Sequence, residues 1–130
     1  MRALLAATVL AVTCATPAMA QSDLSGQWAG IGFQVDRGGQ QSEWAMRVAL
    51  QANGSALVSY PTLRCEGVWS PVKGGPAFSF RERITSGDCI DGGAVTLVPA
   101  RGRLFYFWTG ELEAPNVSAS AVLYPADGIS

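Results

Sequence analysis

Two cysteines, Cys65 and Cys89, constrain the fold of this chain more than any other feature. The third cysteine, Cys14, lies in a segment that we expect to be removed on export. An even pair in an oxidising compartment forms a disulfide by default, and this one would close a loop of about 25 residues, worth roughly 3.5 kcal/mol. The alternative is a thiol or metal site, but the chain has no CxxC spacing and no histidine.

The N-terminus has the pattern of an export signal. Arg2 precedes an apolar run over residues 3–12, and Ala18-Met19-Ala20 is the small-x-small motif that signal peptidase accepts. We expect residues 1–20 to be the signal peptide, Gln21 to begin the mature chain, and the protein to be periplasmic or secreted. The apolar run is far shorter than the roughly 20 residues of a membrane span, and no later segment is a better candidate. Lipidation of Cys14 is the alternative, although the three residues before it match a lipoprotein signal poorly.

Residues 21–130 predict a single domain, with an ordered core over about 24–125. Of nine Lys and Arg residues Arg2 leaves with the signal, and the remaining eight face ten Asp and Glu. These basic residues are scattered singly, so the sequence gives no electrostatic footprint for nucleic acid.

Short alternating runs separated by glycine-rich turns predict an all-β fold, a small antiparallel barrel or sandwich of about eight strands connected as an up-and-down meander. The predicted strands are Gly26–Val35, Glu43–Gln51, Ala56–Tyr60, Cys65–Pro71, Ala77–Thr85, Ala94–Pro99, Leu104–Gly110 and Val117–Tyr124.

Glu82 is the most unusual residue of the predicted strands. It is in register with Phe78, Phe80 and Ile84, so strict alternation points its carboxylate toward the apolar face. An unpaired buried charge is costly, and an arginine such as Arg47 or Arg64 would neutralise it in a structural pair. The alternative is a pocket acid that binds a cationic or hydroxylated ligand.

The aromatic run Leu104-Phe105-Tyr106-Phe107-Trp108 is the strongest indication of a binding surface. Alternation places the two phenylalanines on one face and Tyr106 and Trp108 on the other, and only one face can line a simple barrel. The other face is either covered by the chain termini or exposed as a patch for a ligand or partner. With Glu82 and Arg64, these four aromatic residues are the predicted binding residues.

Asp88 and Asp91 flank Cys89 and could place two carboxylates over one loop, as calcium sites require. Their spacing matches no established calcium loop, so we interpret them as turn formers and expect neither metal nor cofactor. Glu66 is interpreted as a solvated strand residue. Catalysis would need two converging carboxylates, most plausibly Glu66 with Glu82, because the chain has no histidine.

Several motifs together resemble a secreted bacterial β domain of unestablished function, which also occurs as the extracytoplasmic C-terminal part of actinobacterial serine/threonine kinases. The resemblance rests on Trp28-x-Gly30, Ser59-Tyr60-Pro61-x-Leu63-x-Cys65-x-Gly67, Glu82-x-Ile84-Thr85-x-Gly87, Cys89-x-x-Gly92, Val95-x-Leu97, Leu104 and Trp108. It covers most of the mature chain and implies that the two cysteines pair. It implies no activity.

Three classes of function follow. The first is an exported, non-enzymatic binding or sensing module for a small molecule or envelope protein. The second is a periplasmic inhibitor of an exported enzyme such as a protease, because Asp23-Leu24-Ser25-Gly26-Gln27-Trp28 is similar to the start of small barrels that inhibit metalloproteases through an N-terminal arm. An enzyme is third. A pocket reaching Glu82 would favour binding, whereas a filled core with a protruding 21–25 arm would favour inhibition.

Overall fold

The computed structural model describes residues 24–111 and 113–126. The predicted signal peptide 1–20, Cys14 and the start of the mature chain at Gln21 lie outside these residues. The described chain forms eight antiparallel strands that close into one barrel, so the predicted all-β fold is confirmed and the barrel is chosen over the sandwich. The strands are β1 Gly26–Val35, β2 Gln41–Leu50, β3 Ala56–Tyr60, β4 Cys65–Pro71, β5 Ser79–Ser86, β6 Ala94–Ala100, β7 Arg103–Thr109 and β8 Ser118–Pro125.

Each strand pairs with its neighbours in sequence, and β1 pairs with β8 to close the barrel, as an up-and-down meander requires. β1, β3 and β4 have the predicted bounds, and the other strands differ by one or two residues at an end. β5 begins at Ser79 instead of Ala77 because Phe78 has a φ of 59°, a left-handed conformation that does not fit a strand. A single turn of 3-10 helix over Pro61–Leu63 connects β3 to β4.

The alternating pattern fills the barrel with inward-facing side chains, including Met46 on β2, Val58 on β3, Leu97 on β6 and Leu123 on β8, which are at most 3% exposed. Cys65 and Cys89 form the predicted disulfide, which ties the start of β4 to the β5–β6 connection. None of the helices within the described residues has the length and apolar character needed to span a membrane.

The connections divide between the two ends of the barrel. The end that we call the mouth carries the β1–β2, β3–β4, β5–β6 and β7–β8 connections and the disulfide. The end that we call the base carries the start of β1, the end of β8 and the other three connections. This division decides which inward-facing side chains solvent can approach from each end.

Candidate functional site

A cavity of about 270 Å³ opens at the mouth and extends into the barrel. Most of its wall is aromatic or apolar, with a few polar groups. The lining residues are Gln34, Ser42, Trp44, Tyr60, Leu63, Cys65, Glu82, Asp88, Cys89, Ile90, Tyr106 and Trp108. A concave, largely apolar site with a small number of placed polar groups is the usual form of a small-molecule pocket.

The cavity exists because β5 and β6 separate toward the mouth. They pair only from Ser79 to Arg81 on the β5 side, and beyond that point Glu82 N–H donates to the Gly93 carbonyl at 2.8 Å. Further along β5, the Asp91 side chain supplies the hydrogen-bond acceptor that a paired strand would otherwise supply. Its Oδ1 accepts from the backbone N–H of Ile84 at 2.7 Å. The Trp108 indole lies against Gly93, and a Cβ atom at position 93 would overlap the indole.

Glu82 lies inside the barrel and is only 3% exposed, as the alternation predicts. Its carboxylate accepts three hydrogen bonds from three different strands. Oε2 accepts from the Tyr60 hydroxyl and from Trp69 Nε1 at 2.8 Å, and Oε1 accepts from Trp108 Nε1 at 3.1 Å. All three donors are uncharged, so Glu82 is held by hydrogen bonds and not by a salt bridge with any of them.

The prediction that an arginine neutralises Glu82 is therefore wrong. Arg47 faces away from the interior on β2, and Arg64 is exposed at the end of the 3-10 turn with a φ of 55°. Aromatic N–H and O–H groups take the place of the guanidinium because they combine a large apolar body with one polar tip, which suits a packed interior.

Burial raises the pKa of Glu82 above its ordinary value, because the charged form loses its water. The hydrogen bonds from Tyr60, Trp69 and Trp108 act in the opposite direction, since they favour the carboxylate, and the negative charge of Asp91 adds a smaller upward effect. Burial also raises the pKa values of Tyr60 and Tyr106 well above the ordinary value, so both remain neutral donors.

Trp44 forms another wall of the cavity and carries an unsatisfied donor. Its Nε1 is buried and has no hydrogen-bond partner among the described residues. The ring packs edge-on to Tyr60 and Tyr106, with centroid distances of 5.2 and 6.3 Å, and lies flat against Gly32, where a side chain would displace it. One indole N–H of the described residues is therefore buried within the wall without an acceptor, an arrangement that buried donors rarely show.

The disulfide shapes the rim of the mouth. Cys65 is buried, and its bond to Cys89 holds Asp88 and Ile90 beside the cavity. The Asp91 carboxylate accepts the hydrogen bond from Ile84, and the Asp91 backbone N–H donates to Glu113 Oε2 at 3.0 Å. Within residues 24–111 and 113–126 no three His, Cys, Asp or Glu side chains are grouped to hold a metal ion, and Asp91 closes the loop as expected of a turn former.

Of the predicted binding residues, the structure brings Glu82, Tyr106 and Trp108 together in the cavity. Phe105 is half-buried and Phe107 is 49% exposed on the outside of β7, and Arg64 lies outside the cavity lining. The aromatic run thus divides between the interior and an exposed outer face, and the described residues near the termini do not bury Phe107.

Tyr60, Trp69 and Trp44 are site residues that the sequence reasoning missed. Trp44 alternates with buried residues of β2, but nothing in the sequence shows that its N–H lacks a partner. Tyr60 and Trp69 meet Glu82 only because of the strand register, in which Trp69 pairs with Glu82 across β4 and β5. The available signal was that both carry a polar tip on the inward-facing side of a strand.

Glu66 does not join Glu82. It is exposed on β4, three residues before Trp69, and alternation places its side chain on the outside of the barrel. The converging pair of carboxylates that catalysis would have required at these two positions is absent, and Glu66 is the solvated strand residue that was expected.

Comparisons with known protein families, with curated proteins and with solved structures found no match. The resemblance to the secreted bacterial β domain and its kinase-attached relatives therefore stays a prediction.

Proposed function

We propose that this protein is an exported, non-enzymatic binding or sensing module that holds a small molecule in the cavity above Glu82. The observation that carries the proposal is a cavity at the mouth with a buried carboxylate, that of Glu82, in its largely aromatic and apolar wall. Burying a carboxylate is costly, and a small number of placed polar groups in an apolar pocket commonly orients a ligand.

Export is supported by the N-terminal pattern and by the disulfide, because a disulfide persists in an oxidising compartment. The non-enzymatic assignment is supported by the chemistry of the wall. The chain has no histidine, both cysteines of the domain are paired, and the Glu66 carboxylate points away from Glu82. Acid-base catalysis would need a second titratable group placed against the same ligand atoms, and the other carboxylate of the wall, that of Asp88, is exposed on the rim whereas Glu82 is buried.

Inhibition of an exported enzyme remains the alternative, and no observation of the described residues favours it. The part of the predicted arm that the structure describes is packed: Leu24 contacts the core, and its carbonyl accepts from Trp28 Nε1 at 2.9 Å. Residues 21–23 lie outside the described residues.

A thermal-shift screen of envelope metabolites, sugars and amines tests the proposal. The protein would be compared with Glu82→Gln and with Glu66→Gln, which makes the same chemical change on the outside of the barrel. A ligand at ten times its Kd stabilises the fold by about 1.4 kcal/mol, a rise in Tm of roughly 5–10 °C for a domain of this size. We expect a ligand-specific rise that Glu66→Gln keeps and Glu82→Gln loses. A screen without any such rise would reject the proposal.

A further inference from the structure

The charged residues that line the cavity are all acidic. Glu82 and Asp88 line it, and none of its lining residues is a lysine or an arginine. The three groups that bond Glu82 are uncharged. An ionised Glu82 therefore has no counter-charge within the cavity, and a bound cation would supply one. An anionic ligand would meet two carboxylates and no compensating group.

The cavity wall favours an organic cation over a metal ion. Calcium and magnesium require several oxygen ligands at fixed distances, and the described residues contain no such group. The wall instead presents the aromatic rings of Trp44, Tyr60, Tyr106 and Trp108. Aromatic faces attract alkylated ammonium groups, and the attraction is largest where water is excluded.

Trp44 takes part through its ring and not through its N–H, because Nε1 lies buried within the wall. A ligand carboxylate would be repelled by Glu82 and Asp88, so the ligand carries no negative charge of its own.

We propose that the cavity binds a small organic cation, a quaternary or protonated amine. The cationic group lies among the aromatic rings and opposite Glu82 and Asp88. This inference rests on the proposed binding function and names the ligand class for the same cavity.

Three probes of matched shape test the charge requirement. Choline carries both the charge and the hydroxyl, 3,3-dimethylbutan-1-ol replaces the charged nitrogen by carbon, and ethyltrimethylammonium lacks the hydroxyl. Each would be titrated into the protein, purified after expression of the full chain, while the indole N–H signals are followed by NMR. Because the signals of Trp44 and Trp108 report on the cavity and that of Trp28 reports on the base, Trp28 is the internal control.

We expect choline to shift the Trp44 and Trp108 signals without shifting Trp28, and to bind at least about tenfold more tightly than the neutral alcohol. Ethyltrimethylammonium should bind about as tightly as choline, because both carry the charge. In Trp44→Phe the preference for choline over the neutral alcohol should persist, because the side chain at position 44 stays aromatic.

Asp88→Asn keeps the charge requirement testable even if Glu82 variants fold poorly, because Asp88 is exposed on the rim. It should weaken choline binding and leave binding of the neutral alcohol unchanged, whereas Glu66→Gln should change neither. A neutral alcohol that binds as tightly as choline overturns the inference, as does choline binding that shifts Trp28 instead of Trp44. The absence of binding by all three probes overturns it too. The binding function itself falls only if the wider metabolite screen is also negative.

Discussion

The two ends of the barrel each carry a buried tryptophan, and the difference between the two defines the molecule. At the base, Trp28 donates its indole hydrogen bond to the Leu24 carbonyl at 2.9 Å. At the mouth, Trp44 is buried to a similar extent but has no acceptor among the described residues. The chain satisfies one indole internally and leaves the other beside a cavity.

The cavities at the two ends of the barrel also differ in the residues that line them. A second cavity of about 320 Å³ lies at the base, and its wall combines apolar residues such as Leu50 and Phe80 with uncharged polar residues such as Gln51 and Asn53, but no charged residue lines it. The cavity at the mouth has two carboxylates and four polar-tipped aromatic rings in its wall. The comparison teaches that the charged lining residues lie at one end of a barrel whose strands are otherwise alike, which is why the proposed ligand is assigned to the mouth.

Removing the Glu82 carboxylate should have the largest effect. Glu82→Leu leaves the Tyr60, Trp69 and Trp108 donors without their acceptor, and each unsatisfied buried donor costs about 1–3 kcal/mol. We expect the free energy of unfolding to fall by about 4 kcal/mol in urea denaturation. Glu66→Leu on the outer face should change it by less than about 0.5 kcal/mol. Equal effects at the two positions would show that the polar cluster adds no stability.

Removing the disulfide should be nearly as costly and should act on the mouth first. Cys65→Ser with Cys89→Ser removes the constraint on a loop of about 25 residues and is expected to cost about 3.5 kcal/mol. Hydrogen exchange should then speed up in the β5–β6 connection more than in the β6–β7 turn at the base. Uniform acceleration across both ends would contradict a local role for the bond.

The stability of the mouth should depend on pH through Glu82. Because burial raises the folded-state pKa of Glu82, the folded protein binds a proton more tightly than the unfolded chain. The stabilisation that results from this protonation is fully present below the ordinary glutamate pKa and is lost as the pH rises through the folded-state pKa. The free energy of unfolding then falls by at most about 1.4 kcal/mol per pH unit. Tyr60 and Tyr106 stay neutral in this range, since their pKa values are also raised.

The difference in unfolding free energy between the protein and Glu82→Gln, measured from pH 4 upward, isolates this dependence. The other ionisable groups are common to both proteins, so their contribution cancels to a first approximation. A difference that rises with pH would mean that the three hydrogen bonds outweigh burial and that the pKa of Glu82 is lowered.

The smallest expected effect is the sharpest test of the comparison itself. Trp28→Phe and Trp44→Phe remove the same atoms from the two ends, but only the first removes a hydrogen bond. A neutral hydrogen bond contributes about 1 kcal/mol, so Trp28→Phe should cost about 1 kcal/mol more than Trp44→Phe in chemical denaturation. Equal costs would indicate that Trp44 has an acceptor in solution.

The strands and their inward faces followed from the sequence because a strand has a period of two. Alternation placed Glu82 in register with Phe80 and on the inside, and the glycine-rich turns separated the eight strands. The arginine partner did not follow, because alternation says which face a side chain takes and not which residues lie across the barrel. Phe78 was counted as a strand residue since its left-handed conformation has no sequence marker at a non-glycine position.

The sequence by itself determined the eight strands, their order, the inward Glu82 and the cysteine pair, because these depend on local periodicity and on the small number of possible pairings. Only the tertiary structure decided what surrounds Glu82. Closing β1 onto β8 and separating β5 from β6 brings Tyr60, Trp69 and Trp108 from three strands onto one carboxylate. It also leaves Trp44 without an acceptor. These contacts join residues distant along the chain, and their register and spacing are fixed only when the whole barrel closes.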